Sequence, residues 1–354
     1  MLAIPTSRTL WYDALRAFLA LGVAYHHVNP CGTGWLDQIN DMLVVARVPC
    51  FYFLAGIFLG RALISVVDTR GTFTQIAMRF RRLIIPAVIF LLLIDSSKIY
   101  PLMNLSLHEN FFLNSLFWST TLVTLITYVC KLIGIHRYRG IALGLLSVIS
   151  IVVLWRYSHL NIQLFDFNCT LHSIPFVAAG YCIGSGCVRI PNIFRSWVVI
   201  LLAMTVYLTF VLLDPMAGSP EVIMKGSHRV MLPFLGIYGI FGIFYLIRDR
   251  ICHDNAWGQI VYYLGQRSLP LYVLIWVNIS WIDFYALMPA DMSDTWRSII
   301  MFAMTTTASL LLHDMLCLIP GIERIVFGRK RKLQNPLRII IHRPFCSHEY
   351  TSPK

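Results

Sequence analysis

The sequence predicts an all-α protein, a polytopic transmembrane bundle of about ten helices with both termini in the cytoplasm. The first reason is composition: of 354 residues, 57% are hydrophobic and only 13% are charged, whereas soluble proteins carry roughly a quarter charged residues. A soluble core of this size could not bury so much apolar surface, but a bilayer accepts it. The second reason is the distribution of the basic residues. They are frequent in every second segment that connects the apolar runs and rare in the segments between.

The apolar runs themselves fix the predicted elements, because a bilayer-spanning helix needs roughly 17–25 residues. Candidate spans cover residues 10–27, 41–62, 83–97, 112–133, 140–156, 170–188, 197–214, 230–248, 260–283 and 298–319. Backbone polar groups in lipid must be satisfied within the segment, and the runs lack period-two alternation, so we predict helices rather than barrel strands. We expect one membrane domain over residues 1–328, followed by a basic cytoplasmic tail over 329–354.

The net charge of +12 is explained by membrane topology. With the N-terminus inside, 22 basic residues, Arg267 among them, fall in inner segments and 5 in outer segments, as the positive-inside rule requires. We therefore expect no nucleic-acid partner. The nine cysteines show no paired metal-type spacing, so no metal site is predicted. Cys31 and Cys169 fall in outer loops, where a disulfide is possible, but two separate thiols are the simpler expectation.

The first predicted span carries four ionisable side chains, Asp13, Arg16, His26 and His27. Such groups are costly inside a bilayer and therefore mark candidate functional positions. Arg16 and His27 are almost three helical turns apart, so they share one face at a separation of roughly 16 Å along the axis. Asp13 is placed to pair with Arg16. The simpler alternative is that Arg16 snorkels to the interface and the histidines lie among the headgroups.

Two more arginine features lie in or beside spans. Arg47 falls within the second span and keeps its charge, so it must face a partner or a polar cavity rather than lipid. Arg79, Arg81 and Arg82 form a basic cluster directly before the third span, and their forked donors match phosphate groups. Taken alone, this cluster is more simply explained as a positive-inside anchor.

The segment Tyr12-Asp13-Ala14-Leu15-Arg16, followed after ten residues by His27, resembles the opening helix of the membrane-bound acyltransferase-3 family. These bacterial proteins add acetyl, succinyl and similar groups to extracellular glycans. Further similar motifs follow in the family's order, and the resemblance covers essentially the whole chain: Arg47–Gly56, Arg79–Pro86, Ile174–Gly180 and Leu264–Tyr272. Ala55 stands where the family usually has Ser, and Ile275 where His is common.

The resemblance implies an enzyme that moves an acyl group, acetyl by family precedent, from cytoplasmic acyl-CoA to a hydroxyl of a cell-surface or periplasmic glycan. It would lie in the bacterial inner membrane, with acyl-CoA as co-substrate, a glycan or other hydroxyl acceptor, and membrane lipid as partners. No C-terminal esterase domain of the SGNH type is recognisable. We therefore expect transfer to be completed within the membrane domain.

The roles that follow from this resemblance can be assigned to particular residues. An imidazole with an unperturbed pKa near ~6.5 is suited to take a proton from the acceptor hydroxyl, and we assign that base to His27, with His26 as the alternative. Arg16 and Arg47 would line the cavity, with Asp13 orienting Arg16, and one of these two arginines would stabilise the oxyanion. Arg79, Arg81 and Arg82 would bind the coenzyme A phosphates. An acyl-imidazole intermediate on His27 stays open.

Two rival functions are weighed against the enzyme. A transporter or flippase predicts discontinuous spans, midplane carboxylates and inverted repeats. Apart from Asp13, we expect no carboxylate well inside a span, and the halves show no evident self-similarity. A non-catalytic membrane partner of glycan assembly is favoured by the departures at Ala55 and Ile275. The acyltransferase is the leading interpretation.

Overall fold

The protein is all-α within the residues that the structure describes. A computed structural model describes residues 7–28, 35–64, 69–94, 111–157, 164–188, 195–213, 228–251, 256–282, 286, 288–289, 292–319, 321–322 and 326–327. These residues form helices, turns and bends, and no strand occurs among them. The predicted fold class is therefore confirmed. The basic tail over 329–354 and Cys31 lie outside the described residues, and Cys169 lies in the first turn of a helix rather than in a loop.

Eleven α-helices follow one another along the described chain. They are α1 (Ser7–Val28), α2 (Trp35–Ile64), α3 (Thr69–Ile94), α4 (Phe111–Leu132), α5 (Arg139–Tyr157), α6 (Phe167–Gly184), α7 (Trp197–Leu213), α8 (His228–Leu246), α9 (Ala256–Gln266), α10 (Ser268–Trp281) and α11 (Asp294–Leu316). Short 3₁₀ turns at His136–Tyr138 and Leu164–Asp166 precede α5 and α6.

Several of these helices have the length and composition of membrane spans. Four segments could cross a bilayer on those grounds: Gln38–Ile64, Phe112–Leu132, His136–Tyr157 and Asp294–Leu316. Shorter apolar helices occupy Trp197–Leu213, Val230–Leu246 and Ser268–Trp281. The helical bundle is thus a membrane bundle, while the count of ten spans and the inside–outside assignment stay predictions.

Two predicted boundaries were wrong. The third span was placed at 83–97 behind a basic segment, but α3 begins at Thr69 and includes that segment, so the arginines lie on a helix. The ninth span was predicted as one run over 260–283, but it breaks at Arg267 between α9 and α10. Pro270 explains the break, because it lacks an N–H to donate to the carbonyl of Gln266 and its ring clashes there.

Helices α2 and α6 are in backbone contact, and glycines on both helices make this possible. Gly56 and Gly60 lie one turn apart on α2, and Gly180 and Gly184 lie one turn apart on α6. A methyl group on Gly184 would collide with the carbonyl of Ile57. Small residues at this spacing let two backbones approach and pack in a membrane. This contact forms one side of the bundle core.

Helix α1 lies at the centre of the functional region. It packs against α9, α2, α10 and α11, and its Leu10, Leu15 and Leu19 are fully buried. Helix α5, by contrast, exposes apolar side chains such as Leu145 and Trp155. That pattern is typical of a lipid-facing helix. The polar residues of α1 therefore face protein rather than lipid.

Candidate active site

A cavity of about 350 Å³ opens between α1, α2, α3, α4 and α10. Its apolar wall includes Phe58, Ala55 and Tyr272. Its polar lining consists of Arg16, Gln75, Arg79, Arg82, Thr120 and Ser268. The structure thus brings Arg16 together with two of the three arginines of the basic cluster.

Helical spacing decides which arginines of α3 face this cavity. Gln75, Met78, Arg79 and Arg82 recur at the three- and four-residue intervals of one helix face, and all four line the cavity. Arg81 is exposed and is not part of that lining. The guanidinium of Arg79 donates to the hydroxyl of Thr124 at 3.0 Å, which fixes it against α4. The three arginines therefore do not act as one unit: Arg79 and Arg82 line the cavity, and Arg81 does not.

Asp13 is buried and orients Arg16. The guanidinium of Arg16 donates to the Asp13 carboxylate at 3.2 Å, and the side-chain amide of Gln266 donates to the same carboxylate. Gly265 permits this approach, because a methyl group there would collide with the Asp13 main chain. The guanidinium carbon of Arg16 lies 5.6 Å from the ring centre of Phe58, over the ring face. The predicted Asp13–Arg16 pair is present, and Gln266 is an additional partner.

Arg47 lies in a different place from Arg16. Its side chain is only 2% exposed, and its guanidinium donates to the carbonyl of Gly22 on α1 and to the amide oxygen of Asn40. It is absent from the lining of the cavity that holds Arg16, but its charge acts on His26 and His27. Gly22 makes room for it, since a methyl group there would meet the Arg47 side chain at 2.8 Å.

His27 packs against α10, at the far end of α1 from Arg16. Its ring centre lies 4.5 Å from that of Trp276 and 6.5 Å from that of Tyr272. The imidazole of His26 points toward α2, where its Nδ1 lies 3.9 Å from the Asp41 carboxylate. Tyr272 also lines the arginine cavity. This tyrosine is therefore the side chain that connects the two groups of predicted site residues.

A buried ionic cluster on α9, α10 and α11 escaped the sequence analysis. Arg267, which the sequence analysis counted as an inner basic residue, is 2% exposed and donates to Asp314 at 2.9 Å. The Tyr263 hydroxyl donates to the other Asp314 oxygen at 2.6 Å, and His313 lies 2.9 Å from the first. Asp314 lies in the last turn of α11, so the expectation that Asp13 is the only carboxylate well inside a span stays a prediction. A polar His-Asp pair late in an apolar run was the available signal.

Hydroxyl groups follow one face of α4 past the cavity. Thr120 donates to the carbonyl of Leu116 at 2.7 Å, and Thr124 donates to that of Thr120 at 2.7 Å. Thr127 continues the pattern by donating to Val123 at 2.9 Å. We call these three residues the threonine row. It lies opposite the arginine face of α3.

The comparison with protein families now identifies the class of protein. The family model described as an acyltransferase domain, of the acyltransferase-3 type, matches residues 9–314. The chain belongs to this family and is a membrane acyltransferase. No curated protein and no solved structure matches it. The broken ninth span is a feature that the transporter alternative predicts, but the family match decides for the enzyme.

Proposed function

We propose that the protein transfers an acyl group, acetyl by family precedent, from cytoplasmic acyl-CoA to a hydroxyl of a cell-surface or periplasmic glycan, in the bacterial inner membrane. The observation that supports this best is the cavity lined by Arg16, Arg79 and Arg82. Its wall includes Tyr272, which lies beside His27. Tyr272 thus lies between an arginine-lined cavity and an imidazole.

The arginine end suits the acyl donor. Coenzyme A carries several phosphate charges, and guanidinium groups bind phosphate oxygens with two parallel hydrogen bonds. Arg79 and Arg82 lie on the cavity face of α3, and Arg16 faces them from α1. The predicted topology places the start of α3 on the cytoplasmic side, where acyl-CoA is made. The cationic face is therefore reached from the donor's compartment.

The histidine end suits the acceptor. In the proposed step, a ring nitrogen of His27 takes the proton of the acceptor hydroxyl while that oxygen attacks the thioester carbonyl. The tetrahedral oxyanion then collapses, the carbon–sulfur bond breaks, and the coenzyme A thiolate takes the proton from the imidazolium. A guanidinium near the carbonyl stabilises the oxyanion. Arg16, which the resemblance offers for that role, lies at the opposite end of α1 from His27 and therefore binds the donor instead.

Arg47 has a positioning role in this proposal. Its hydrogen bond to the Gly22 carbonyl holds the outer half of α1, and therefore the helical turn that carries His27. It also supplies a buried positive charge near both histidines. Arg47 thus keeps the imidazole in place, rather than contacting the donor in the arginine cavity.

The test is mass spectrometry of surface glycans from cells with the gene, without it, and without it but expressing His27→Ala. We expect an acyl mass increment on glycan in the first strain only. Incubation of purified protein with acetyl-CoA and the isolated glycan should release the free thiol in step with glycan acylation. Unchanged glycan masses in all three strains, with no thiol release by the purified protein, would overturn the proposal.

A further inference from the structure

A second pocket of about 350 Å³ lies between α2, α3, α4, α5 and α6. Three basic side chains line it, Lys131, His136 and Arg139, together with hydroxyl groups. No carboxylate occurs among the described residues of its lining. A pocket with this lining attracts anions. The predicted topology places it on the cytoplasmic side, next to the connection between α4 and α5.

The local fold explains why three basic groups meet there. Lys131 lies in the last turn of α4, His136 begins the 3₁₀ turn, and Arg139 begins α5. Gly134 makes the change of direction possible, because its φ of 79° is in the left-handed region that glycine adopts at low cost. The chain therefore folds back and brings three of the four basic residues of 131–139 to the pocket.

The pocket is a neighbour of the arginine cavity. Thr124 lines the pocket, and its hydroxyl accepts the hydrogen bond from Arg79, which lines the cavity. Thr120, one helical turn earlier on α4, lines the cavity as well. The two spaces are thus separated by one turn of α4 and by one arginine side chain. A long ligand can occupy both.

We propose that this pocket, which we call the α4–α5 pocket, binds the phosphate-bearing adenine nucleotide end of the acyl donor. The inference rests on the proposed function, in which the arm of the same molecule passes through the arginine cavity toward His27. Lys131, His136 and Arg139 contact the phosphate on the ribose, while the diphosphate stays with Arg79 and Arg82. Arg79 then meets the part of the donor that passes between the two spaces.

The size and walls of the pocket fit a nucleotide better than an isolated phosphate. A volume of about 350 Å³ is within the range of small-molecule sites. The rings of Tyr128 and Tyr181 contribute to the wall, and aromatic rings are common stacking surfaces for nucleobases. The alternative source of a phosphate is the headgroup of an anionic lipid. The experiment must therefore separate a nucleotide from a lipid.

The test uses adenosine 3′,5′-bisphosphate, which contains the nucleotide end of coenzyme A without the thioester arm. Its binding is measured calorimetrically on the full-length protein in nanodiscs of phosphatidylcholine, and again with phosphatidylglycerol added. The variants are Lys131→Gln and Arg139→Gln. The control is Arg137→Gln, because Arg137 is exposed between the same elements and does not line the pocket. Thermal unfolding of each variant verifies that it is folded.

We expect the wild type and Arg137→Gln to bind the bisphosphate with the same affinity. Lys131→Gln and Arg139→Gln should each bind it at least about tenfold more weakly. Absence of wild-type binding, equal binding by all variants, or equal loss in the Arg137 control would overturn the proposal. Loss of nucleotide binding on adding phosphatidylglycerol would also overturn it, by showing a lipid site. The assay needs no acceptor, so a failure of the proposed acyl transfer is recognised separately from a failure of this site.

Discussion

The side-chain amide of Gln266 donates to both carboxylate oxygens of Asp13, at 3.3 and 3.2 Å. Asp13 is therefore held from two sides, by α9 and by Arg16 one turn further along α1. Gln266 is the last residue of α9, directly before the break at Arg267. The interruption of the ninth predicted span is thus coupled by hydrogen bonds to the arginine that lines the cavity.

Gln266→Ala should lower the rate of acyl transfer without unfolding the protein. Its loss leaves Asp13 held only by Arg16, and a misplaced Arg16 binds the donor less well, so we expect the donor KM to rise roughly tenfold. The matched control is Gln259→Ala, an exposed position on the same helix. Equal donor KM values in the two variants would show that the Gln266–Asp13 contact has no role in donor binding.

His27→Ala should abolish acyl transfer while the protein still accumulates in the membrane. Removal of a general base costs about 10²–10⁴-fold in rate. His26→Ala is the control, because the His26 imidazole faces Asp41 rather than α10. Loss of activity in His26→Ala, with activity retained in His27→Ala, would show that His26 is the general base. Activity in both single variants and in the double variant would contradict the mechanism.

Arg82→Ala should raise the donor KM, whereas Arg81→Ala should change it little, because only Arg82 lines the cavity. Loss of one charge-assisted hydrogen bond corresponds to about ten- to hundredfold in affinity. Arg82→Lys keeps the charge but loses the fork, so it should retain part of the affinity. Donor saturation curves measure this. If Arg81→Ala and Arg82→Ala give the same curves, the cluster is only a topology anchor.

Gly184→Ala should destabilise the bundle. A methyl group there collides with the Ile57 carbonyl in the α2–α6 contact, and overpacking typically costs 1–3 kcal/mol. Gly144→Ala on α5 is the control, because nothing lies within 4 Å of a methyl group at that position. Thermal unfolding in detergent should show a lower midpoint for Gly184→Ala alone. Equal midpoints would mean that α2 and α6 are not in backbone contact.

Asp314→Asn should be strongly destabilising, because it leaves the buried guanidinium of Arg267 without its carboxylate. Breaking a buried ion pair from one side costs about 3–5 kcal/mol, whereas replacing both partners by apolar residues is often neutral. The double variant Arg267→Met/Asp314→Leu should therefore unfold at a higher temperature than Asp314→Asn. A double variant as unstable as the single one would show that the cluster stabilises the fold through more than charge pairing.

The sequence predicted the helical bundle and the Asp13–Arg16 pair because both depend on local spacing. Apolar runs identify helices, and a three-residue interval places two side chains on one face. It could not predict that Gln266 meets Asp13, since that contact depends on how α9 packs against α1. Nor could it predict that Arg82 lines the cavity and Arg81 does not. The basic segment was expected to precede the third span rather than to form part of a helix, and only a helix gives these residues defined faces. Asp314 was missed for a related reason: its partner Arg267 comes from another helix.

The threonine row limits what α4 can offer a substrate. Each of its three hydroxyls has one proton, and each gives that proton to a main-chain carbonyl of its own helix. Thr120 lines the arginine cavity, so its oxygen acts there only as an acceptor, whereas Thr124 accepts from Arg79 and lines the α4–α5 pocket. A phosphate in the arginine cavity therefore finds no donor in Thr120 and must be bound by the arginines. The amide N–H groups along the arm of an acyl-CoA can donate to such a hydroxyl oxygen. The arginine wall on α3 and the hydroxyl wall on α4 would therefore set the orientation of the donor in the cavity.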